Sequence, residues 1–184
     1  MAKSVKVVLK DVRISFVNVF KARAIAEGQD PKYNLQILMD KKHPQLKEVQ
    51  KAIFEAAKEK FGDKIKGDKL PAWCKSPLRD GNERLEENEA LTEYDGMFFM
   101  NANSARKPQV LDRRKNEVIE EDGIIYSGCY ANLSLNFYGF EVSGNKGVAV
   151  GLNAVQFLRD GEPLGGIGNA ANDFDELEDE DYDI

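Results

Sequence analysis

Few residues of this chain could carry out covalent or proton-transfer chemistry. Among 184 residues there is one histidine, His43, and there are two cysteines, Cys74 and Cys129. His43 directly precedes Pro44 at a predicted helix start, so a Ser-His or Cys-His catalytic pair would have to form at a surface helix end. The three residues are too few and too scattered for a structural zinc site, which normally uses four ligands. We expect both thiols to be free.

Two further patterns resemble active-site motifs only in part. Gly165-Gly-Ile-Gly168 has the glycines of a phosphate-binding loop but no following Gly-Lys-Ser/Thr, so a linker is the better interpretation. Asp-Gly pairs could supply carboxylates to a metal-dependent nuclease, yet this dipeptide is also the usual sequence of a tight turn. They occur at 80–81, 95–96, 122–123 and 160–161. We therefore predict no catalysis and no cofactor, and keep a metal-dependent nuclease or junction-processing enzyme as the alternative.

Aromatic side chains beside cations favour a different chemistry. Rings stack on the bases of single-stranded nucleic acid at about 1–3 kcal/mol per base, and Lys or Arg neutralises the phosphates. Trp73, the only tryptophan, lies near Lys75 and Arg79, while Tyr130 and Tyr138 share a strand face with Asn and Ser. The residues predicted to contact nucleic acid are Lys21, Arg23, Lys32, Tyr33, Trp73, Lys75, Arg79, Phe99, Arg106, Lys107, Tyr130 and Tyr138.

The last twelve residues, 173–184, contain eight carboxylates and no basic residue. The whole chain has 26 Lys+Arg against 32 Asp+Glu, so residues 1–172 retain 26 against 24, a slight positive excess. A run of like charge this dense is expected to stay disordered and to act as an interaction tail. Its predicted partner-binding residues are Asp173, Phe174, Asp175, Asp181, Tyr182, Asp183 and Ile184.

Strands must position most of the candidate residues. The alternation of apolar residues slips at Lys10-Asp11, which predicts two strands or one strand broken by a bulge. Phe98 and Phe99 point opposite ways in any strand, so one of them belongs to the core. An amphipathic helix is predicted to start at Pro44 and to stop at Gly62. The predicted strands cover 5–16, 32–39, 97–102, 109–111, 128–138 and 148–158, and the long polar connection 62–96 includes an acidic piece, 83–93, expected to be a mobile edge.

These elements predict a mainly β fold with an inserted helix: an OB-like five-stranded antiparallel barrel with one amphipathic helix and long loops. Residues 1–164 would form the domain, and residues 165–184 a flexible Gly/Asn linker followed by the disordered acidic tail. No run approaches about 18 consecutive apolar residues, so no membrane span is predicted. The N-terminus lacks the apolar core of a signal peptide, which favours the cytoplasm.

Several motifs resemble those of bacteriophage single-stranded DNA-binding proteins. They are Asp122-Gly-Ile-Ile-Tyr-Ser-Gly-Cys-Tyr-Ala-Asn132, Phe137-Tyr-Gly-Phe140, Pro77-Leu-Arg-Asp-Gly81 and Ala102-Asn-Ser-Ala-Arg-Lys-Pro108. The resemblance spans most of residues 5–165. It implies an OB fold, an acidic tail, and sequence-independent binding of single-stranded DNA without catalysis.

The same resemblance implies a role in phage DNA replication, recombination and repair in the cytoplasm of the bacterial host. Replication or recombination proteins would be the partners of the tail. Bacterial relatives end their tails in Pro-Phe and some phage relatives in Phe, whereas this chain ends Tyr182-Asp-Ile184. A protein–protein adaptor of the virion is a third hypothesis, and a homo-oligomer is left open.

Overall fold

The structure, a computed structural model, describes residues 4–24 and 27–164. The predicted linker and acidic tail lie outside these residues. The elements in chain order are β1 (Val5–Arg23), β2 (Lys32–Asp40), α1 (Leu46–Phe61), β3 (Arg79–Asp80), α2 (Gly81–Glu87), β4 (Met97–Ser104), β5 (Gln109–Leu111), β6 (Tyr130–Val142) and β7 (Asn145–Arg159). Single 3₁₀ turns occupy Gly62–Lys64, Thr92–Tyr94 and Glu120–Asp122.

Five of the strands close into a barrel. The neighbours are antiparallel in the order β4-β2-β1-β6-β7, and β7 returns to β4. This closing pair is parallel and short, with Ala102 beside Val150 and Asn103 beside Gly151. The short strand β3 extends the sheet beside β4, and β5 lies beside β7. The predicted OB-like barrel of five strands is confirmed, with the closing pair as its one parallel contact.

β1 is one long strand that serves two neighbours in turn. Its first half pairs with β6 from Val5 to Arg13, and its second half pairs with β2 from Arg13 to Arg23. The register shifts between Leu9 and Val12, where Asp11 has a φ of 56°. The phase slip in the sequence is therefore a bulge within one strand. The bend that a bulge introduces lets β1 turn from one neighbour to the other.

The barrel interior is built from the alternation seen in the sequence. Leu35 and Ile37 of β2 and Leu133 and Leu135 of β6 are almost completely buried in one core. α1 lies against β6 and β1 with its predicted apolar stripe inward; the buried helix residues are Val49, Ala52, Ile53, Ala56, Ala57 and Phe61. No helix in the described residues is long and apolar enough to cross a membrane.

The start of α1 differs from the prediction. The helix begins at Leu46 instead of Pro44. Residues 43–45 form a turn, because the Leu46 N–H donates to the His43 carbonyl at 3.1 Å and the Gln45 N–H donates to His43 Nδ1 at 3.0 Å. His43, and not Pro44 as the first helical residue, therefore forms the contacts that precede the helix.

Two of the four Asp-Gly pairs are not tight turns. Asp80 caps α2 by accepting a hydrogen bond from the Asn82 N–H at 2.9 Å, and Gly81 is the first helical residue. Asp160 accepts a hydrogen bond from the Tyr126 hydroxyl at 2.8 Å. The pairs at 95–96 and 122–123 do turn the chain, with φ values of 71° and 65° at their glycines.

The acidic piece 83–93, predicted as a mobile edge, contains regular structure. Most of α2 and the start of the 3₁₀ turn Thr92–Tyr94 lie within it, and the adjoining Tyr94 is fully buried against Leu38 and Phe99. The sequence did not predict these contacts, because the apolar partners of the segment come from strands distant in sequence. The β6–β7 hairpin is also longer than predicted; its two-residue turn, Ser143–Gly144, has φ of 50° and 82°, the signs of a type I′ turn.

Candidate nucleic-acid interface

A row of amide side chains crosses the outside of the barrel. Asn34 and Gln36 alternate with inward Leu35 and Ile37, so they lie on the outer face of β2. Gln36 Nε2 donates to Asn101 Oδ1 of β4 at 2.7 Å. We call the set of outward amides Asn18, Asn34, Gln36, Asn101 and Asn103 the amide floor. Apart from Gln36, which is only 5% exposed, it offers neutral donors and acceptors that can contact bases or sugars of any sequence.

The amide floor continues across the closing seam of the barrel. Asn18 Nδ2 donates to Asn34 Oδ1 at 3.1 Å, and the register places Asn34 opposite Asn103. Asn103 in turn lies beside Gly151 of β7, and Gly151 lies opposite Asn136 of β6. The outer surfaces of all five barrel strands therefore meet in one continuous polar track.

Aromatic rings border one end of the amide floor. Tyr138 and Phe140 are half-buried on the outer face of β6, since their neighbours Phe137 and Gly139 face the core and α1. Gly151 leaves the Tyr138 ring uncovered; a Cβ there would stand 3.7 Å from Tyr138 Cε1. The ring is therefore partly exposed beside a small residue, where it can stack on a base.

Phe16 borders the other end. Its side chain is 42% exposed, and its φ of 48° places the backbone in the left-handed region. A bulky residue in that region is strained, and such residues persist mainly where function requires them. The Arg84 guanidinium of α2 lies 5.8 Å from the ring centroid. Val12 and Ile14, at alternate positions before it, are buried, whereas Phe16 lies in the second register shift of β1 and is exposed.

Two arginines, Arg79 and Arg84, lie beside this end. The guanidinium carbons of Arg79 and Arg84 are 5.3 and 5.5 Å from the Phe99 ring centroid. Neither forms an ion pair with any described residue, although Asp80, Glu83 and Glu87 line the same narrow cleft. Phe99 itself is only 2% exposed. It packs with Leu38 and Tyr94 in a small cluster outside the barrel core.

Trp73 and Lys75 lie against the β6–β7 hairpin. Trp73 is 41% exposed and meets Phe61 edge-on at 5.1 Å, with Lys146 Nζ 5.5 Å from its ring. Lys75 bridges to Gly147 through the backbone, and its Nζ donates to Asn145 Oδ1 at 2.9 Å. The connection 75–80 then runs to Arg79 beside Phe99, so it links the two aromatic ends of the amide floor.

A third group of predicted residues lies where the β1–β2 ribbon and β4 end. Arg23 is opposite Lys32, and Tyr33 is opposite Ser104, the last residue of β4. Arg106 and Lys107 are exposed directly after Ser104, and Lys21 Nζ is 3.7 Å from a Glu120 carboxylate oxygen. These cations adjoin the Asn34–Asn103 pair of the amide floor.

Tyr130 lies apart from the other predicted residues. It is eight residues before Tyr138 on β6, about 26 Å along an extended strand. The Arg159 guanidinium stacks on its ring at 3.7 Å, and Arg13 is at 5.8 Å on the same ring. This part of the surface is a separate depression, into which Lys42 and His43 also project.

Buried titratable groups do not suggest catalysis. Burial raises the pKa of Tyr94 to about 12, and it also raises the pKa of both cysteine thiols, Cys74 and Cys129. Both cysteines are free, as expected, and buried. Thiols with raised pKa values are poor nucleophiles. Within residues 4–24 and 27–164, no group of three or more His, Cys, Asp or Glu could hold a metal ion.

Sequence reasoning missed three parts of this surface: Phe16, Arg84 and most of the amide floor. The polar face of β2 was a usable signal, because Asn34 and Gln36 alternate with apolar residues. No comparable signal exists for Arg84, whose neighbours Phe16 and Phe99 come from distant strands. Phe140 belonged to a recognised motif but was not selected as a site residue.

Comparison with known proteins gives consistent matches. The family model described as Enterobacter phage Enc34, ssDNA-binding protein matches residues 5–184. Protein p50 of Acyrthosiphon pisum secondary endosymbiont phage 1 is 33% identical over 178 residues, covering 94% of both chains.

Solved structures share the fold. The single-stranded DNA-binding protein from bacteriophage Enc34, in complex with ssDNA, superposes with a TM-score of 0.74 at 23% identity, over 90% of this chain and 95% of that one. The gp2.5 single-stranded DNA-binding protein of bacteriophage T7 gives a TM-score of 0.60 at 13% identity, over 96% and 98%.

Proposed function

Because the chain belongs to the single-stranded DNA-binding protein family of Enterobacter phage Enc34, we propose that its barrel binds single-stranded DNA without reading base sequence. Membership confirms the resemblance that the motifs predicted. The observation that carries the proposal is the amide floor on the outer face of β2 and β4, with accessible rings at both ends. OB barrels bind oligonucleotides on this face.

Three kinds of side chain contact the DNA in the proposed mechanism: aromatic rings, amides and cations. Tyr138 and Phe16 stack on bases at the two ends of the track, and the amide floor contacts bases or sugars between them. Cations along the border, such as Arg79 and Lys75, neutralise phosphates and release counterions. Nothing in this arrangement cleaves a phosphodiester bond, and membership in a family of binding proteins favours this mechanism over the nuclease alternative.

We further propose a role in phage DNA replication, recombination and repair in the host cytoplasm. The acidic tail would compete with DNA for the cationic border and would present Ile184, with its carboxylate, to partner proteins. The exit point of the tail supports the competition. Leu164, the last described residue, packs against the cluster of Leu38, Tyr94 and Phe99, beside the amide floor.

A titration of oligo-dT against duplex DNA of equal length, at several salt concentrations, tests the proposed function. We expect a clear preference for oligo-dT and an affinity that falls linearly on a log–log plot as salt rises, because counterions are released on binding. Equal affinity for the duplex, or no binding of oligo-dT at low salt, would contradict the proposal. Incubation with labelled single-stranded and branched DNA in Mg²⁺ or Mn²⁺ checks the nuclease alternative, which requires cleavage.

A further inference from the structure

The segment Gly81–Asp95, here called the excursion, lies over part of the outer face of the barrel. Leu38 of β2 and Phe99 of β4 are paired across the sheet and point outward, yet they are only 1% and 2% exposed. Tyr94 of the excursion covers them, and Leu91 of the excursion packs at the edge together with Leu164. The excursion therefore hides the part of the β2–β4 face that directly adjoins the amide floor.

The two ends of the excursion are joined to each other. Asn82 Nδ2 donates to Asp95 Oδ1 at 2.8 Å, while Asn82 Oδ1 accepts from the Gly96 N–H at 3.2 Å and from Lys41 Nζ at 3.0 Å. Lys41 Nζ is also 2.7 Å from Asp80 Oδ1. The excursion is thus a compact loop whose ends meet, and its base is attached to the end of β2 by a few polar contacts.

The contact between the excursion and the barrel leaves polar atoms unsatisfied. Gln36 Oε1, Arg84 Nε and Tyr94 Oη are buried without a hydrogen-bond partner, and they are the three such side-chain atoms in the described chain. Two belong to the excursion, and the third lies on the β2 face next to Leu38. Buried polar atoms without partners destabilise the arrangement that buries them. This arrangement is therefore easier to open than the barrel core.

The charge of the excursion also opposes a bound DNA strand. Arg84 is its one cation, and its acidic residues are Glu83, Glu86, Glu87, Glu89, Glu93 and Asp95. A phosphate backbone on the amide floor would repel these carboxylates while attracting Arg79 on β3. Binding of DNA thus favours separation of the excursion from the face.

We propose that the excursion is a displaceable cover over a further base-stacking site, formed by Phe99 next to the exposed Phe16 and served by Arg79. This inference rests on the proposed function and deepens it. When the cover lifts, the Phe99 ring becomes available to a base, and Gln36 Oε1 can accept a hydrogen bond from an amino or imino group of that base. Because DNA binds this site only when it is open, binding shifts the population toward the open form.

Amide hydrogen exchange of residues 83–93, measured with and without saturating oligo-dT, tests the cover. We expect exchange in this segment to become faster when DNA binds, whereas amides of β2 and β4 become slower. Unchanged or slower exchange in the segment, with oligo-dT bound, would overturn the cover and leave the proposed function intact. Failure of oligo-dT to bind would instead count against the proposed function.

Asn82→Ala provides a second test with a matched control. It removes three hydrogen bonds at the base of the excursion without changing net charge, so the closed form loses stability and oligo-dT should bind about two- to fivefold more tightly. Asn88→Ala removes only a local bond to the Ala90 N–H and should leave affinity unchanged. Unaltered affinity in a folded Asn82→Ala protein whose excursion exchanges faster would contradict the cover.

Discussion

Tyr130 and Tyr138 share one face of β6 but have different surroundings. Tyr138 lies near Gly151 at the end of the amide floor, whereas Tyr130 is stacked beneath Arg159 in a separate depression. Strand alternation predicted that both face outward. The alternation could not show which tyrosine lies next to the outer face of β2 and β4, because that depends on how the barrel closes.

Tyr138→Ala should therefore weaken binding of oligo-dT, and Tyr130→Ala should not. Loss of one stacking ring costs about 1–3 kcal/mol, roughly a 5- to 150-fold increase in Kd. Fluorescence anisotropy at constant salt measures both variants, and Tyr130→Ala serves as the matched control because it removes the same side chain from the same strand. Equal losses would mean that the DNA path includes the Arg159 depression.

Tyr94 gives a stability prediction with a defined pH dependence. Burial raises its pKa to about 12 from the ordinary tyrosine value of 10.0, so the folded protein retains a proton that the unfolded chain releases more readily. This contribution to stability is complete below pH 10 and is lost as the pH rises toward about 12. Urea unfolding between these pH values should show a falling free energy of unfolding that is less steep in Tyr94→Phe.

Among the described residues no group forms a well-aligned hydrogen bond with the Tyr94 hydroxyl, so Tyr94→Phe should not destabilise the protein at neutral pH. Removing a buried unsatisfied group stabilises by up to about 1–3 kcal/mol. A destabilised Tyr94→Phe protein would show that the hydroxyl is satisfied in solution.

At the scale of the elements, β1 shows how one strand combines structural and binding roles. Its first bulge, at Asp11, transfers the strand from β6 to β2, and its second register shift turns Phe16 outward. The sequence predicted the first break from the slip in alternation. It did not predict the second, because Val12, Ile14 and Phe16 continue the apolar pattern without interruption.

Phe16→Gly should weaken DNA binding without lowering the free energy of unfolding. Glycine adopts a φ of 48° without strain, so the free energy of unfolding should stay the same or rise by up to about 1 kcal/mol. Loss of the ring should weaken oligo-dT binding about tenfold. Phe16→Leu is the matched control, since it loses the ring but keeps the strained backbone. Unchanged affinity in both variants would remove Phe16 from the DNA path.

The excursion shows why some of the site could not be read from the sequence. Asp80-Gly81 has the composition of a turn, but Asp80 accepts a hydrogen bond from the N–H two residues on, a bond that serves equally well as a helix cap. The acidic composition of 83–93 concealed two anchors, Leu91 within the segment and Tyr94 directly after it. Their partners, Leu38 and Phe99, are identifiable only once β2 and β4 are paired.

At the scale of the whole molecule, the distribution of charge matters more than its total. The formal net charge is −6, yet residues 1–172 carry 26 basic against 24 acidic residues. Deletion of 173–184 should therefore tighten oligo-dT binding at low salt, because a competing polyanion is removed. The gain should shrink as salt rises. Unchanged or weaker binding at matched salt would contradict competition by the tail.

Two further tail variants distinguish charge from a specific contact. Scrambling the order of residues 173–183 preserves the polyanion, whereas deletion of Ile184 removes the terminal apolar side chain. Competition with DNA should survive both changes, while partner binding should depend mainly on Ile184. Comparable losses of partner binding in both variants would indicate that the tail acts only as a polyanion.

The closing seam between β4 and β7 has a consequence for how the barrel opens. Its register pairs cover only Ala102–Val150 and Asn103–Gly151, and the amide floor crosses it between Asn103 and Gly151. A DNA strand that follows the amide floor would contact β4 on one side of the seam and β7 on the other. Bound DNA would then resist mechanical separation of β4 from β7, and the seam would open under force only after the DNA had been released.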